Sequence, residues 1–365
     1  MRLIPLESIR ANSYLSKTLY DIEGRVLLNS GSVLTNSLIK KLRSLSITSL
    51  YVIDDVSNYE IENIIKPELR KKASELIKST FDNVSCIDSI KADSEKDDSY
   101  LKSIHLLAED LLNSILSNEN VIYYLVDIKN LHLNTYSHSI NVALISLVVG
   151  ISLNLNRDEL LNLCIGALLH DIGKAFIEKE IVAKEDPLTY DEFELMKSHC
   201  EKGYCYLKDK DFLHNDSKII ILQHHERIDG LGYPKGLIGN QINKLARIVS
   251  IADVYDTLTS EKYYIQPMCA SDALEYIMSH ANTIFDFEMV KVFSRVIVPF
   301  PNGTVIRLSN GDLGVVQQTF RNFPLRPNVK IVKSSLKDKE GVTISLIDEL
   351  SLVICGVEKN ISKSY

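Results

Sequence analysis

The sequence predicts a mainly α-helical protein: a central helical bundle flanked by a small N-terminal α+β unit and a small C-terminal β domain. Three observations predict it. Between about residues 121 and 290, apolar residues recur at helical spacing, as in Leu160, Leu163, Cys164, Ala167 and Leu168. Ahead of that stretch, short β-prone runs are punctuated by Gly24 and Asn29-Ser30-Gly31. Beyond Pro299-Phe300-Pro301-Asn302-Gly303 the pattern changes to short strands separated by Gly, Pro and Asn turns.

Residues 1–56 form the first unit in this reading, with strands at Arg25–Leu28 and Ser49–Ile53 around a helix at Ser37–Leu45. Residues 57–120 turn helical and polar, and Pro67 marks a helix start or break. Within them Asp82–Ser103 is rich in Asp, Ser and Lys and reads as a mobile linker. Residues 121–290 form the bundle. Residues 295–365 form the β domain, with strands expected at Thr304–Leu308, Gly314–Gln318, Asn328–Val332 and Ser351–Val357. There is no internal repeat.

Composition narrows the function classes. The 365 residues are 45% hydrophobic and 24% charged, a soluble globular mix. A net charge of −7 argues against a binder of long nucleic acids, which needs a basic face to displace counterions. Residues 1–10 lack the apolar stretch of a signal peptide. The most apolar segment, Ile140–Leu153, falls short of the roughly 20 residues that span a bilayer and reads as a core helix. The six cysteines are scattered without a C-x-x-C pair and read as reduced thiols; Cys200 and Cys205 lie near a candidate ligand but carry no ligand spacing of their own. The expected location is the cytoplasm.

Chemistry enters where polar residues occupy apolar faces. In Asn156–Lys174 a capping pattern, Asn156 with Glu159, precedes an apolar stripe whose next position is Asp171, directly after His170. In Leu245–Thr257 the stripe Leu245, Ile248, Val249, Ala252 continues into Asp253 and Asp256. A third helix opens at Thr189-x-x-Glu192 and reaches His199, and a fourth, Ile219–Glu226, ends in His224-His225. A fifth starts at Thr135–Ser137 and carries His138 in its first turn. A buried carboxylate is costly unless it is paired or bound to a metal. One histidine near an apolar face is ordinarily a core residue, and His105, His132, His214 and His280 are read that way. Five histidines and two aspartates on five helices are explained together by metal coordination.

These residues resemble a known family. His170-Asp171-Ile172-Gly173-Lys174 looks like the signature of the HD phosphohydrolase superfamily. His224-His225-Glu226-Arg227-Ile228-Asp229-Gly230-Leu231-Gly232-Tyr233-Pro234 resembles the motif of its HD-GYP branch. His138-Ser139, Lys197-Ser198-His199 and Ala252-Asp253-Val254-Tyr255-Asp256 fall in the expected order, so the resemblance covers roughly residues 125 to 285. It implies an HD-type helical domain that hydrolyses cyclic di-GMP or a related cyclic dinucleotide, and it allows a homodimer. It assigns His138, His170, Asp171 and Asp253 to one metal, with Asp171 bridging to a second held by His199, His224 and His225. Two cations about 3.5–4 Å apart share a water, lower its pKa and hold phosphoryl oxygens for in-line attack. Mixed imidazole and carboxylate donors suit Fe or Mn. Asp171 and Lys174 are the expected catalytic residues, Lys174 as a cation for the phosphate. Asp229, Gly232, Tyr233 and Pro234 are expected to wall the substrate, with Lys262 as a further phosphate contact.

Two departures stand out. Asn134 occupies the position where relatives with a third metal carry Glu, so two metals are expected. Lys262-Tyr263-Tyr264-Ile265 replaces an Arg-Pro-Tyr-Arg or Arg-Pro-Tyr-Lys pattern, which weakens the expected grip on phosphate. Two alternatives stay open: a receptor that binds the dinucleotide without turnover, and an HD hydrolase of another phosphorylated nucleotide.

Overall fold

The computed structural model describes residues 2–6, 9, 11–20, 26–45, 47, 49–53, 65–85, 94–117, 135–184, 186–260, 267–320 and 322–358. Contacts divide the chain into two compact units: Met1–Ile64, Ile122–His132 and Arg295–Tyr365 in one, Ile65–Val121 and Leu133–Ser294 in the other.

The described residues of the first unit hold three sheets. At the N-terminus β1 (Arg2–Pro5), β2 (Ser13–Leu15), β5 (Val33–Leu34) and β6 (Ser49–Ile53) form a sheet in the order β1-β6-β2-β5, and β3 (Leu19–Tyr20) pairs with β4 (Val26–Leu28). Helix α1 (Asn36–Ser44) starts at Thr35, whose side chain accepts the Leu38 N–H, and it buries Ile39 and Leu42 in a core with Leu15, Leu34 and Leu50. The C-terminal sheet comprises β7 (Val305–Leu308), β8 (Leu313–Phe320), β9 (Phe323–Lys333), β10 (Thr343–Ser345) and β11 (Ile354–Val357), all antiparallel, in the order β10-β9-β8-β7-β11. Val316, Val329, Ile331 and Leu346 fill its core. Each expected strand of both regions overlaps an observed one.

The second unit is helical. Its helices are α2 (Pro67–Ser85), α3 (Ser94–Leu116), α4 (Thr135–Ser152), α5 (Arg157–Leu169), α6 (Lys179–Val182), α7 (Tyr190–Lys197), α8 (His199–Leu207), α9 (Asn215–Gln223), α10 (Lys244–Thr259), α11 (Ala270–Ser279) and α12 (Phe287–Val296). Helix α5 packs on α3, α4 and α9, and α10 packs on α4, α9 and α11. Helix α4, whose largely apolar Ile140–Leu153 stretch is expected as a core helix, buries every residue from Ser139 to Gly150. No helix of the described residues is long and apolar enough to cross a membrane.

The stretch expected as a mobile linker is different. Asp82–Ser85 closes α2 and Ser94–Ser103 opens α3, while 86–93 lie outside the described residues. Along α3, Leu101, Ile104, Leu107, Leu111 and Leu112 are buried while Ser99, Lys102 and Asp110 are exposed.

Candidate metal centre

Helix ends, rather than helix faces, deliver the histidines. The capping box of Asn156 and Glu159 starts α5 as expected, but the helix stops at Leu169, with His170 as its C-cap. Asp171 therefore does not continue the apolar stripe; it leads into a 3-10 turn at Ile172–Phe176. The turn lies against α8 at Gly173, where a Cβ would run into the His199 carbonyl and come within 2.7 Å of Gly203 N. Thr189 and Glu192 cap α7 as expected, but that helix ends at Lys197, and His199 opens α8 after a break at Ser198. Helix α9 likewise ends at Gln223 with His224 as C-cap, so His224 and His225 lie beyond it rather than within a helix reaching Glu226.

At each break the imidazole takes up a carbonyl from the last turn of the helix before it. His170 Nδ1 lies 2.7 Å from Ala167 O, His199 Nδ1 2.7 Å from Met196 O and His224 Nδ1 2.9 Å from Ile221 O. A carbonyl only accepts, so each Nδ1 carries the proton and each Nε2 keeps a free lone pair. That is the tautomer a metal ligand requires.

His138, in the first turn of α4, lies between two α10 carboxylates. Its Nδ1 is 2.8 Å from Asp256 Oδ2 and its Nε2 is 3.0 Å from Asp253 Oδ1. Asp256 Oδ1 accepts a hydrogen bond from Asn141 Nδ2 at 3.0 Å. Asp171 faces histidines from both sides: Oδ2 is 3.4 Å from His170 Nε2 and Oδ1 is 3.5 Å from His199 Nε2. Lys174 Nζ donates to Asp171 Oδ2 at 2.6 Å. His225 Nδ1 lies 3.8 Å from Asp253 Oδ2. The described residues thus contain two groups of convergent donors: His138, His170 and Asp171, and His199, Cys200, His224 and His225.

The electrostatics suit a cation. Burial lowers His170 and His224, and takes His199 down to about 4 and His225 to about 3, so all four are neutral near neutral pH. Burial also opposes charge on His138, but its hydrogen bonds to Asp253 and Asp256 outweigh that and raise it to about 10. Burial would raise Asp171; the Lys174 ammonium and neighbouring histidines instead hold it well below the usual carboxylate range. Two buried atoms, His170 Nε2 and Asp171 Oδ1, have no hydrogen-bond partner. An orphaned lone pair and an orphaned carboxylate oxygen are costly in a protein interior, and a divalent metal satisfies both. The donor set fits such an ion.

The loop after His225 closes one side. Tyr233 N donates to His225 O at 3.2 Å, and the Tyr233 ring is 4.8 Å from the His225 ring. Gly232 is needed for close approach: a Cβ there would lie 2.6 Å from Glu226 Cα and from His225 O. The buried Glu226 carboxylate accepts the Lys235 and Leu237 N–H groups at 2.7 and 2.9 Å, which fixes the return of the loop past Pro234. Asp229 is occupied by Arg227, at 3.1 and 2.6 Å, and by Leu231 N at 3.0 Å. Lys262 and the Lys262–Ile265 segment lie outside the described residues, as do Asn134 and His132.

Three polar groups at the centre were given no part in the site by the sequence reading. Asp256 was visible on the apolar stripe but had no role; Asn141 carried no signal. Cys200 had no ligand spacing, yet its sulfur lies 3.4 Å from His199 Nε2. Of the histidines read as structural, His214 caps α9 and His280 lies 2.8 Å from the Tyr276 carbonyl.

The chain resembles known proteins in sequence and in fold. Residues 120–289 match the HD domain family, and residues 305–362 match a KOW domain associated with the HD domain. A cyclic di-GMP phosphodiesterase of Pseudomonas aeruginosa is 34% identical over 66% of this chain and 58% of its own length. A cyclic di-GMP phosphodiesterase response regulator of Xanthomonas campestris is 37% identical over 40% of this chain and 39% of its own. The chain therefore spans less than two thirds of either relative. The solved structure of an HDG"Y"P protein from Bdellovibrio bacteriovorus shares the fold, with a TM-score of 0.50 and 19% identity over 80% of this chain and 97% of that one.

Proposed function

We propose that residues 120–289, which match the HD domain family, form a domain of its HD-GYP branch, and that the chain hydrolyses a phosphodiester bond of cyclic di-GMP. The proposed product is the linear dinucleotide, with GMP from a second cut. The proposed setting is bacterial signalling in the cytoplasm, and the proposed assembly is a homodimer. One observation carries the reading: Asp171, with one carboxylate oxygen buried and unpartnered, belongs to one group of metal-type donors and lies 3.5 Å from His199 Nε2 of the other.

The proposed ligands are His138, His170, Asp171 and Asp253 for one ion and Asp171, His199, His224 and His225 for the other, with Fe or Mn as the ions. Bound there, two divalent cations supply an acidified water and an electrophilic hold on the phosphoryl oxygens. The protein's own groups do the rest. The three Nδ1-to-carbonyl bonds keep the imidazoles from rotating away, which is pre-organisation for the reacting geometry. Asp171 accepts at Oδ2 from Lys174 and so holds that ammonium beside the centre. The remaining N–H donors of Lys174 are available to a non-bridging phosphate oxygen, where charge grows during displacement. Tyr233, stacked beside His225, offers a ring face to a base and covers the site against bulk water.

Incubating anaerobically purified, Fe- or Mn-loaded protein with cyclic di-GMP tests the proposal. Linear dinucleotide should accumulate, and Asp171→Ala should abolish it. Loaded protein that binds the dinucleotide without cleaving it would overturn hydrolysis in favour of a receptor. Turnover confined to other phosphorylated nucleotides would overturn the substrate.

A further inference from the structure

We propose that Cys200 is a thiolate ligand to the metal held by His199, His224 and His225, which makes that site a mixed imidazole–sulfur centre. The inference rests on the reading of those three histidines as ligands. Cys200 follows His199 in the first turn of α8 and is completely buried. One donor atom from each of the four residues lies within 4.8 Å of all the others.

The separations identify what the cluster is shaped around. His199 Nε2 and His224 Nε2 are 3.3 Å apart, although both Nδ1 protons are committed to carbonyls. Two lone pairs that face each other repel unless a cation lies between them. Ligands at tetrahedral angles about an ion, with metal–nitrogen bonds of about 2.05 Å and a metal–sulfur bond of about 2.3 Å, place nitrogens about 3.3 Å apart and nitrogen and sulfur about 3.5 Å apart, and the Asp171 carboxylate would then be a fifth donor. The corresponding edges here are 3.3 Å and 3.4 Å. A thiol hydrogen bond to His199 Nε2 would account for the second distance alone. It would consume the lone pair needed for ligation and leave the first distance unexplained.

Ligation breaks the Cys200 S–H bond; the proton leaves to solvent and a sulfur lone pair forms the bond to the metal, with no change of oxidation state. The other group, His138, His170 and Asp171, offers only nitrogen and oxygen. The two sites then differ in softness, and the sulfur-containing one prefers Zn, Fe or Co over Mn.

X-ray absorption on the Zn-loaded full chain tests this without any variant: one sulfur neighbour at about 2.3 Å is expected beside the nitrogen and oxygen neighbours. Co-loaded protein should show a near-ultraviolet sulfur-to-cobalt charge-transfer band. Cys200→Ser and Cys200→Ala should lose the band, and their cobalt affinity at that site should fall by about ten- to a hundredfold, at least the range seen when outer partners of ligands are removed. Metal surrounded by nitrogen and oxygen alone, with spectra unchanged in Cys200→Ser, would overturn the proposal and leave the histidine site standing. No metal uptake at all would overturn both.

Discussion

Asp256→Asn isolates how much of the metal centre depends on a residue that the proposed ligand set excludes. Asp256 gives one carboxylate oxygen to His138 Nδ1 at 2.8 Å and the other to Asn141 Nδ2 at 3.0 Å, and only 1% of it is exposed. With the Ser260 hydroxyl, 3.4 Å from Oδ2, three donors thus converge on the two oxygens. An asparagine offers one acceptor and brings two donors of its own, so one buried donor loses its partner at a cost of about 1–3 kcal/mol. His138 can escape by moving its proton to Nε2, but that removes the lone pair facing Asp253 and the metal. Either route weakens the same site, by about ten- to a hundredfold in metal affinity. The assay is metal content after dialysis against graded chelator, followed by turnover at limiting and at excess metal. One of two ions should be lost early, and excess metal should restore most of the rate. Two ions held as tightly as in the unaltered protein, at an unchanged melting temperature, would refute the positioning role.

Other outcomes follow from the same geometry. Lys174→Ala removes a charged hydrogen bond of about 1.5–3 kcal/mol, and kcat/KM for the dinucleotide should fall by about ten- to a hundredfold with metal content retained; an unchanged kcat/KM would show that the ammonium does not meet substrate. Gly232→Ala should displace the Tyr233 loop, because its Cβ would lie 2.6 Å from His225 O, and turnover should drop while metal still binds; wild-type kinetics would contradict that packing. The pH dependence of the metal-free protein has a worked sign. His138 is raised from 6.5 to about 10, so its stabilisation is complete below pH 6.5 and is lost as pH rises through 10. His199 and His225 are lowered to about 4 and about 3, so their burial destabilises the fold as pH falls below 6.5 toward those values. The metal-free melting temperature should therefore peak near 6.5, and a steady rise up to pH 10 would contradict the His138 assignment.

Much of the site was legible because its parts break local rules. A histidine or aspartate on an apolar stripe is visible in one dimension, and capping residues such as Asn156 and Thr189 mark where the helices begin. Helix ends were less legible. Asp171 looked like the next position of a stripe, whereas contact between Gly173 and α8 ends the helix before it. Asp256 and Asn141 bond across 115 residues of sequence, a pairing that no local pattern encodes. Asp82–Ser103 was read from its polar composition alone; its last residues open α3, which buries Leu101, Ile104 and Leu107. Cys200 looked bland because sulfur ligands are ordinarily recognised by pairing in sequence, and here the partners come from α8 and the end of α9.

The three histidines that take up carbonyls from the last turns of α5, α7 and α9 tie local melting to occupancy. Fraying of α5, α7 or α9 by a single turn releases a carbonyl and frees an imidazole to rotate in one event, so a helix end cannot loosen while its ring stays ligated. Ion binding is then linked to the opening equilibria of three separate segments, each of which contributes its share to the observed affinity. Amide exchange in those terminal turns becomes a gauge of metal loading at a distance from the ions themselves. It also means that a substitution such as Ala167→Gly, well outside the ligand set, would weaken metal binding through the helix end alone.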